Sequence, residues 1–190
     1  FFYIKVEGGL YAVFANSSCD IYTSVGRNSA LAITTGTRNT AVGLDALNAT
    51  TTASYNTAIG DNSLKANTTG SYNVAVGTQP LLSNTTGTNN IAIGYNALVD
   101  NTTGYGHVAV GHLSLSEAYG TSIYCTAVGR GALQNNAEAQ YNTAVGAFAA
   151  DTNTSGGSLV CIGAYAGDAI TTGSNNTFIG RNAGDITTTG

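Results

Sequence analysis

Two histidines, three cysteines and ten carboxylates are the whole supply of imidazole, thiol and carboxylate chemistry in this 190-residue sequence. A hydrolytic triad needs a nucleophile, a histidine base and a group that orients the base. A zinc site needs several Cys or His at short, regular spacing. His107 and His112 have no such company, so no catalytic residue, no metal ligand set and no cofactor is expected, and the chain does not read as an enzyme. Three further groups have chemical potential. Asp151, Asp168 and Asp185 recur every 17 residues and are candidates for a hard cation such as Ca²⁺, against the plainer reading that they fan into solvent. Asn16, Asn48, Asn67, Asn84, Asn101 and Asn153 open Asn-x-Ser/Thr sequons on what read as exposed corners. Tyr55, Tyr72, Tyr124 and Tyr141 occupy one repeat position, and such a row either covers the edge of the fold or stacks on sugars.

The 17-residue spacing of the aspartates belongs to the whole chain. A small-apolar-Gly signature, "TAVG", "TAIG", "VAVG" or "IAIG", ends at Gly26, Gly43, Gly60, Gly77, Gly94, Gly111, Gly129, Gly146, Gly163 and Gly180. The interval is 17 each time except between Gly111 and Gly129, where one residue is inserted within "HLSLSEAYGTSIYC". With the glycine as position 0, position −1 is Val or Ile, −3 is Thr, Val or Ile, −2 is mostly Ala and −4 mostly Asn. "AL" often stands at +3 and +4, and "TTG" often ends at −7. Repeats of this length indicate stacked supersecondary units, none of which can bury its apolar stripe alone.

Positions −4 to −1 alternate with period two, which is strand geometry. The glycines at 0 and −7 suit the corners. The expected fold is therefore all-β: a parallel β-solenoid, or β-roll, of about ten 17-residue coils, associated as a trimeric fibre. Residues 1–15 are expected to be a degenerate first unit or connector. Residues 16–190 are expected to be the repeat solenoid, continuing beyond Gly190, which holds the −7 place of an unfinished unit. The wide, β-branched residues at −3 and −1 are expected to fill the coil interior. The small residues at −2 (Ala41, Ala58, Ala75, Ala92, Ala109, Ala127 and Ala144) would then form an outer row on which parallel chains pack. Cys125 and Cys161 stand two units apart, beyond disulfide reach, and Cys19 replaces a corner glycine, so all three are expected as free thiols. Pro80, the only proline, occupies position +3; either the +3 amide points away from the neighbouring coil or this coil carries a break.

The pattern "NTAVG…AL…TTG" resembles the head repeats of YadA-type trimeric autotransporter adhesins, and the tandem repeats of phage tail-fibre-like proteins. The resemblance spans about residues 16–190 and implies a left-handed roll, three associated chains and a fibre that spaces or presents a binding tip. Unit length departs from the adhesin heads, whose units are somewhat shorter. On this basis the chain is expected to be a structural fibre segment on a virion or cell surface, extracellular. Its expected partners are itself as a homotrimer, other fibre or virion proteins, and a host cell-surface glycan or protein. The alternative is a bacterial trimeric adhesin that binds matrix or glycans directly. An ice-binding solenoid would need a regular Thr-x-Thr face, yet −1 is never Thr. Six Lys and Arg cannot track a phosphate backbone, so nucleic acid is not an expected partner. No 18-residue apolar run exists to span a membrane as a helix.

Overall fold

The computed structural model describes residues 2–6, 9–15 and 21–185, with side-chain environments from residue 23 onward. It is a parallel β-solenoid without helices among these residues. Twelve strands form one sheet in chain order. β1 (Phe2–Val6), β2 (Gly9–Ala15) and β3 (Ile21–Val25) make an antiparallel meander. From β3 onward every pairing is parallel: β4 (Thr40–Val42), β5 (Thr57–Ile59), β6 (Val74–Val76), β7 (Ile91–Ile93), β8 (Val108–Val110), β9 (Thr126–Val128), β10 (Thr143–Val145), β11 (Val160–Ile162) and β12 (Thr177–Ile179). β1 and β2 thus pair antiparallel ahead of the parallel solenoid rather than forming a coil of it.

From β3 to β12 each strand includes positions −3, −2 and −1, and these residues pair with their equivalents in the neighbouring coil, as in Thr57↔Val74, Ala58↔Ala75 and Ile59↔Val76. The 18-residue unit keeps this register: Val108 pairs with Thr126. Asp100 N still donates to Ser116 O at the 16-residue offset of other coils, whereas Tyr105 bridges Ile123 at an offset of 18. The extra residue is therefore absorbed in the corner between Ser116 and Ile123, away from the strand.

The structure reverses the expected faces of the strand. Ala41, Ala58, Ala75, Ala92, Ala109, Ala127 and Ala144 are fully buried, so this row lies inside the coil and cannot be an oligomer face. The Val and Ile side chains at −1 and −3 point outward; Ile59, Ile93, Val128, Val145 and Ile162 are all exposed. The reason is the opposite wall. Leu47, Leu64, Leu81, Leu98, Leu115 and Leu133 at +4 are fully buried and fill the lumen from that side, leaving room only for Ala at −2. Where −2 grows, +4 shrinks within the same coil. A Cβ on Gly167 would lie 2.8 Å from Cys161 Sγ, and one on Gly184 would lie 2.4 Å from the Phe178 ring.

The position-0 glycine is obligatory where coils stack. Gly60 has φ +127°, and a Cβ there would stand 1.8 Å from Gly77 O in the next coil. Pro80 is accommodated for a different reason. At +3 the amide turns back onto its own coil, as in Ser114 N→Gly111 O and Ala149 N→Gly146 O, both long at 3.4 Å. Proline gives up only this weak contact, and its carbonyl still accepts from Leu64 N at 3.1 Å. The first of the two alternatives for Pro80 therefore holds.

Candidate binding surfaces and the polar interior

Two asparagine ladders run inside the coil. At −4, the side-chain oxygen accepts the next coil's −4 amide, and the side-chain NH₂ donates to the next coil's −7 carbonyl. Asn56 Oδ1 accepts from Asn73 N at 2.9 Å, and Asn56 Nδ2 donates to Gly70 O at 3.0 Å. The second ladder, at −10, runs Asn67, Asn84, Asn101, with links of 2.8 and 2.9 Å. Ala118 breaks it, leaving Asn101 Oδ1 buried without a hydrogen bond, and it resumes at Asn136 and Asn153. Buried amides must find partners, and here each coil supplies them to the next.

His107 is a member of the −4 ladder, fully buried. Its Nδ1 accepts Cys125 N at 3.2 Å, and its Nε2 lies 3.0 Å from Ser122 O. The imidazole thus reproduces both bonds of asparagine, which fixes the neutral Nε2–H tautomer. Burial holds its pKa down at about 4, against opposing hydrogen bonds to Ser122 and Cys125. With both ring nitrogens engaged, it has no free position to act as a base. His112 stands outside and stacks on Tyr95, with ring centroids 5.3 Å apart.

Cys125 and Cys161 are free and buried, and burial pushes both thiols up, Cys161 to about 11. Cys19 and Asn16 lie outside the described residues. The sequon asparagines Asn67, Asn84, Asn101 and Asn153 are not exposed corners. Their side chains are fully buried in the −10 ladder, where no glycan can be attached to the folded coil. Asp151 is raised by burial and by the neighbouring Asp168 charge. Among the described residues, no group of three or more His, Cys, Asp or Glu is placed to hold a metal ion. No described helix is long and apolar enough to cross a membrane.

The exterior carries two ordered features. The first is the outer face of the parallel sheet, where uncharged Thr, Val and Ile recur in register at −3 and −1 from β4 to β12. The second is aromatic. Tyr55 and Tyr72 at −5 stack at 4.8 Å and 8°, with Arg38 packed over Tyr55. Tyr124 and Tyr141 stack at 5.8 Å, and Phe148 and Tyr165 at 5.4 Å on another corner. The −5 tyrosines stand on the outside, 41–56% exposed, and do not seal the coil. The row was legible in the sequence; the buried asparagine ladders were signalled only by the recurrence of Asn.

No protein-family model matches the chain, and no curated protein or solved structure matches it. What the geometry establishes is an all-β parallel β-solenoid of nine to ten coils, with a polar ladder inside and an uncharged β-branched face outside.

Proposed function

We propose that this chain is a structural fibre segment, the body of a viral, phage-type tail fibre or surface appendage, in which three parallel copies pack through the outer face of the sheet. One observation carries the reading: the regular, uncharged Val/Ile stripe left exposed along the coils. At a strand spacing of ~4.8 Å, nine strands make a stripe ~40 Å long. Long, flat, exposed apolar surfaces of this kind mark association sites. A second copy, with the same rise per coil, matches the stripe residue for residue along its length. The −2 alanines play no part in this contact. The number three, the extracellular setting and the role of spacing or presenting a host-binding tip rest on the resemblance to YadA-type heads and phage fibre repeats. The His107 ring, with both nitrogens committed inside the coil, fits a non-catalytic body.

The test is native mass spectrometry with analytical ultracentrifugation. The wild type is expected to contain three chains. Ile93→Lys combined with Val110→Asp is expected to yield monomers with unchanged β-sheet circular dichroism, because both side chains point out of the coil. A wild type that is a stable folded monomer at about 100 µM, roughly a hundredfold above a micromolar dissociation constant, overturns the proposal.

A further inference from the structure

Three coils use the −10 carboxamide in the same way: its two N–H groups serve two carbonyl oxygens. Asn84 Nδ2 donates to Asn67 Oδ1 in the preceding coil at 2.8 Å and to Gly87 O in its own coil at 3.1 Å. Asn101 Nδ2 repeats this on Asn84 Oδ1 and Gly104 O at 2.9 and 3.2 Å. Asn153 Nδ2 does so on Asn136 Oδ1 and Gly156 O, both at 3.0 Å. The −7 carbonyl also accepts from the −4 side chain of the preceding coil, as Gly104 O does from Asn90 Nδ2 at 2.9 Å.

Ala118 takes the −10 place one coil beyond Asn101 and brings no carboxamide. The two oxygens such a group would serve are Asn101 Oδ1 and Ser122 O, on residues that are both fully buried. Asn101 Oδ1 has no hydrogen-bond partner in the chain. Ser122 O has its −4 donor, His107 Nε2 at 3.0 Å, but no −10 donor from its own coil. Both oxygens keep the places they hold in regular coils. A Cβ on Gly87 would lie 2.3 Å from Asn84 Oδ1 and 2.4 Å from Gly104 O; one on Gly104 would lie 2.3 Å from Asn101 Oδ1 and 2.7 Å from Ser122 O. The coils do not close over the missing group. Leu98 N still donates to Ser114 O at 3.0 Å and Asp100 N to Ser116 O at 3.1 Å, and Tyr105 bridges Ile123 on the other side.

The structure assigns a structural water molecule to the interior of the coil at Ala118, donating one hydrogen to Asn101 Oδ1 and the other to Ser122 O. Water carries two donor hydrogens, as the NH₂ group does, and is smaller than the carboxamide it replaces. Both oxygens lie within 2.7 Å of one point, so a single donor at ~2.8 Å reaches both. Buried waters bind where the chain leaves buried polar groups unpaired, and here the water carries the −10 ladder one coil further. A metal cation does not suit the place. Two neutral oxygens are too few for it, and His107 Nε2–H points at one of them. The site lies within a single chain, so it stands or falls independently of the fibre reading.

An atomic-resolution crystal structure of the full chain tests this. It is expected to show one ordered water at ~2.6–3.2 Å from both Asn101 Oδ1 and Ser122 O. In solution, magnetic relaxation dispersion of oxygen-17 water counts the long-lived internal waters. Ala118→Asn supplies the carboxamide and is expected to hold one such water fewer than the wild type, its Nδ2 standing where the water stood. The wild-type crystal structure decides the matter alone should Ala118→Asn fail to fold. No water in contact with both oxygens, a cation there with oxygen distances of ~2.3–2.6 Å, or equal counts of long-lived waters in wild type and folded Ala118→Asn overturns the proposal.

Discussion

If the −2 and +4 side chains face each other across the coil, their volumes are coupled, and a double-mutant cycle on Ala92 and Leu98 measures the coupling. Both side chains are fully buried. Leu98→Gly removes a buried leucine, a loss of about 2–5 kcal/mol. Some of this is returned, about 1 kcal/mol, because Leu98 has φ 53° and glycine adopts that conformation without strain. Ala92→Phe alone overfills the lumen. In the Phe178 coil even one methyl at position 184 would come within 2.4 Å of the ring, so a whole leucine opposite a phenylalanine should cost at least about 3 kcal/mol. The double variant copies the Phe178/Gly184 arrangement. It should be no worse than Ala92→Phe alone, which corresponds to a favourable coupling of about 2 kcal/mol. Guanidinium unfolding followed by far-ultraviolet circular dichroism reads all four proteins. Losses that add to within about 0.5 kcal/mol would show that the two positions do not share one space, and the account of the reversed strand faces would fail.

Two further outcomes follow from the ladders and corners. The unfolded His107 imidazole titrates near 6.5 and the folded one at about 4, so its stabilising contribution is complete above 6.5 and is lost as pH falls from 6.5 to 4. The loss is about 3 kcal/mol. His107→Asn restores the common ladder residue and should remove that share of the acid sensitivity; parallel midpoint-versus-pH curves for the two proteins would contradict the ladder role. Gly60→Ala drives a methyl into the Gly77 carbonyl and should destabilise by at least about 4 kcal/mol in thermal melts. A loss no larger than the about 1–3 kcal/mol of backbone strain at φ +127° would argue against stacking as the reason for the glycine.

The repeat, its 17-residue period, the strand at −3 to −1, the parallel register and the corner glycines are all legible in the sequence. Each is a local or strictly periodic property, and stacking identical units turns the sequence period directly into a spatial ladder. The inward face of the strand was not legible. Alternation separates Ala58 from Thr57 and Ile59 but does not say which side closes on the lumen, and both sides are apolar enough to qualify. The decision comes from across the coil, where Leu64 at +4 already fills the space, and sequence alone does not say that +4 lies opposite −2. The same holds for the polar residues. Asn67 reads as a surface sequon, and His107, in the −4 place that Asn holds elsewhere, as a surface or ladder substitution, until the neighbouring coil supplies Asn84 to the one and Cys125 N to the other. The tyrosine row is visible as a spacing.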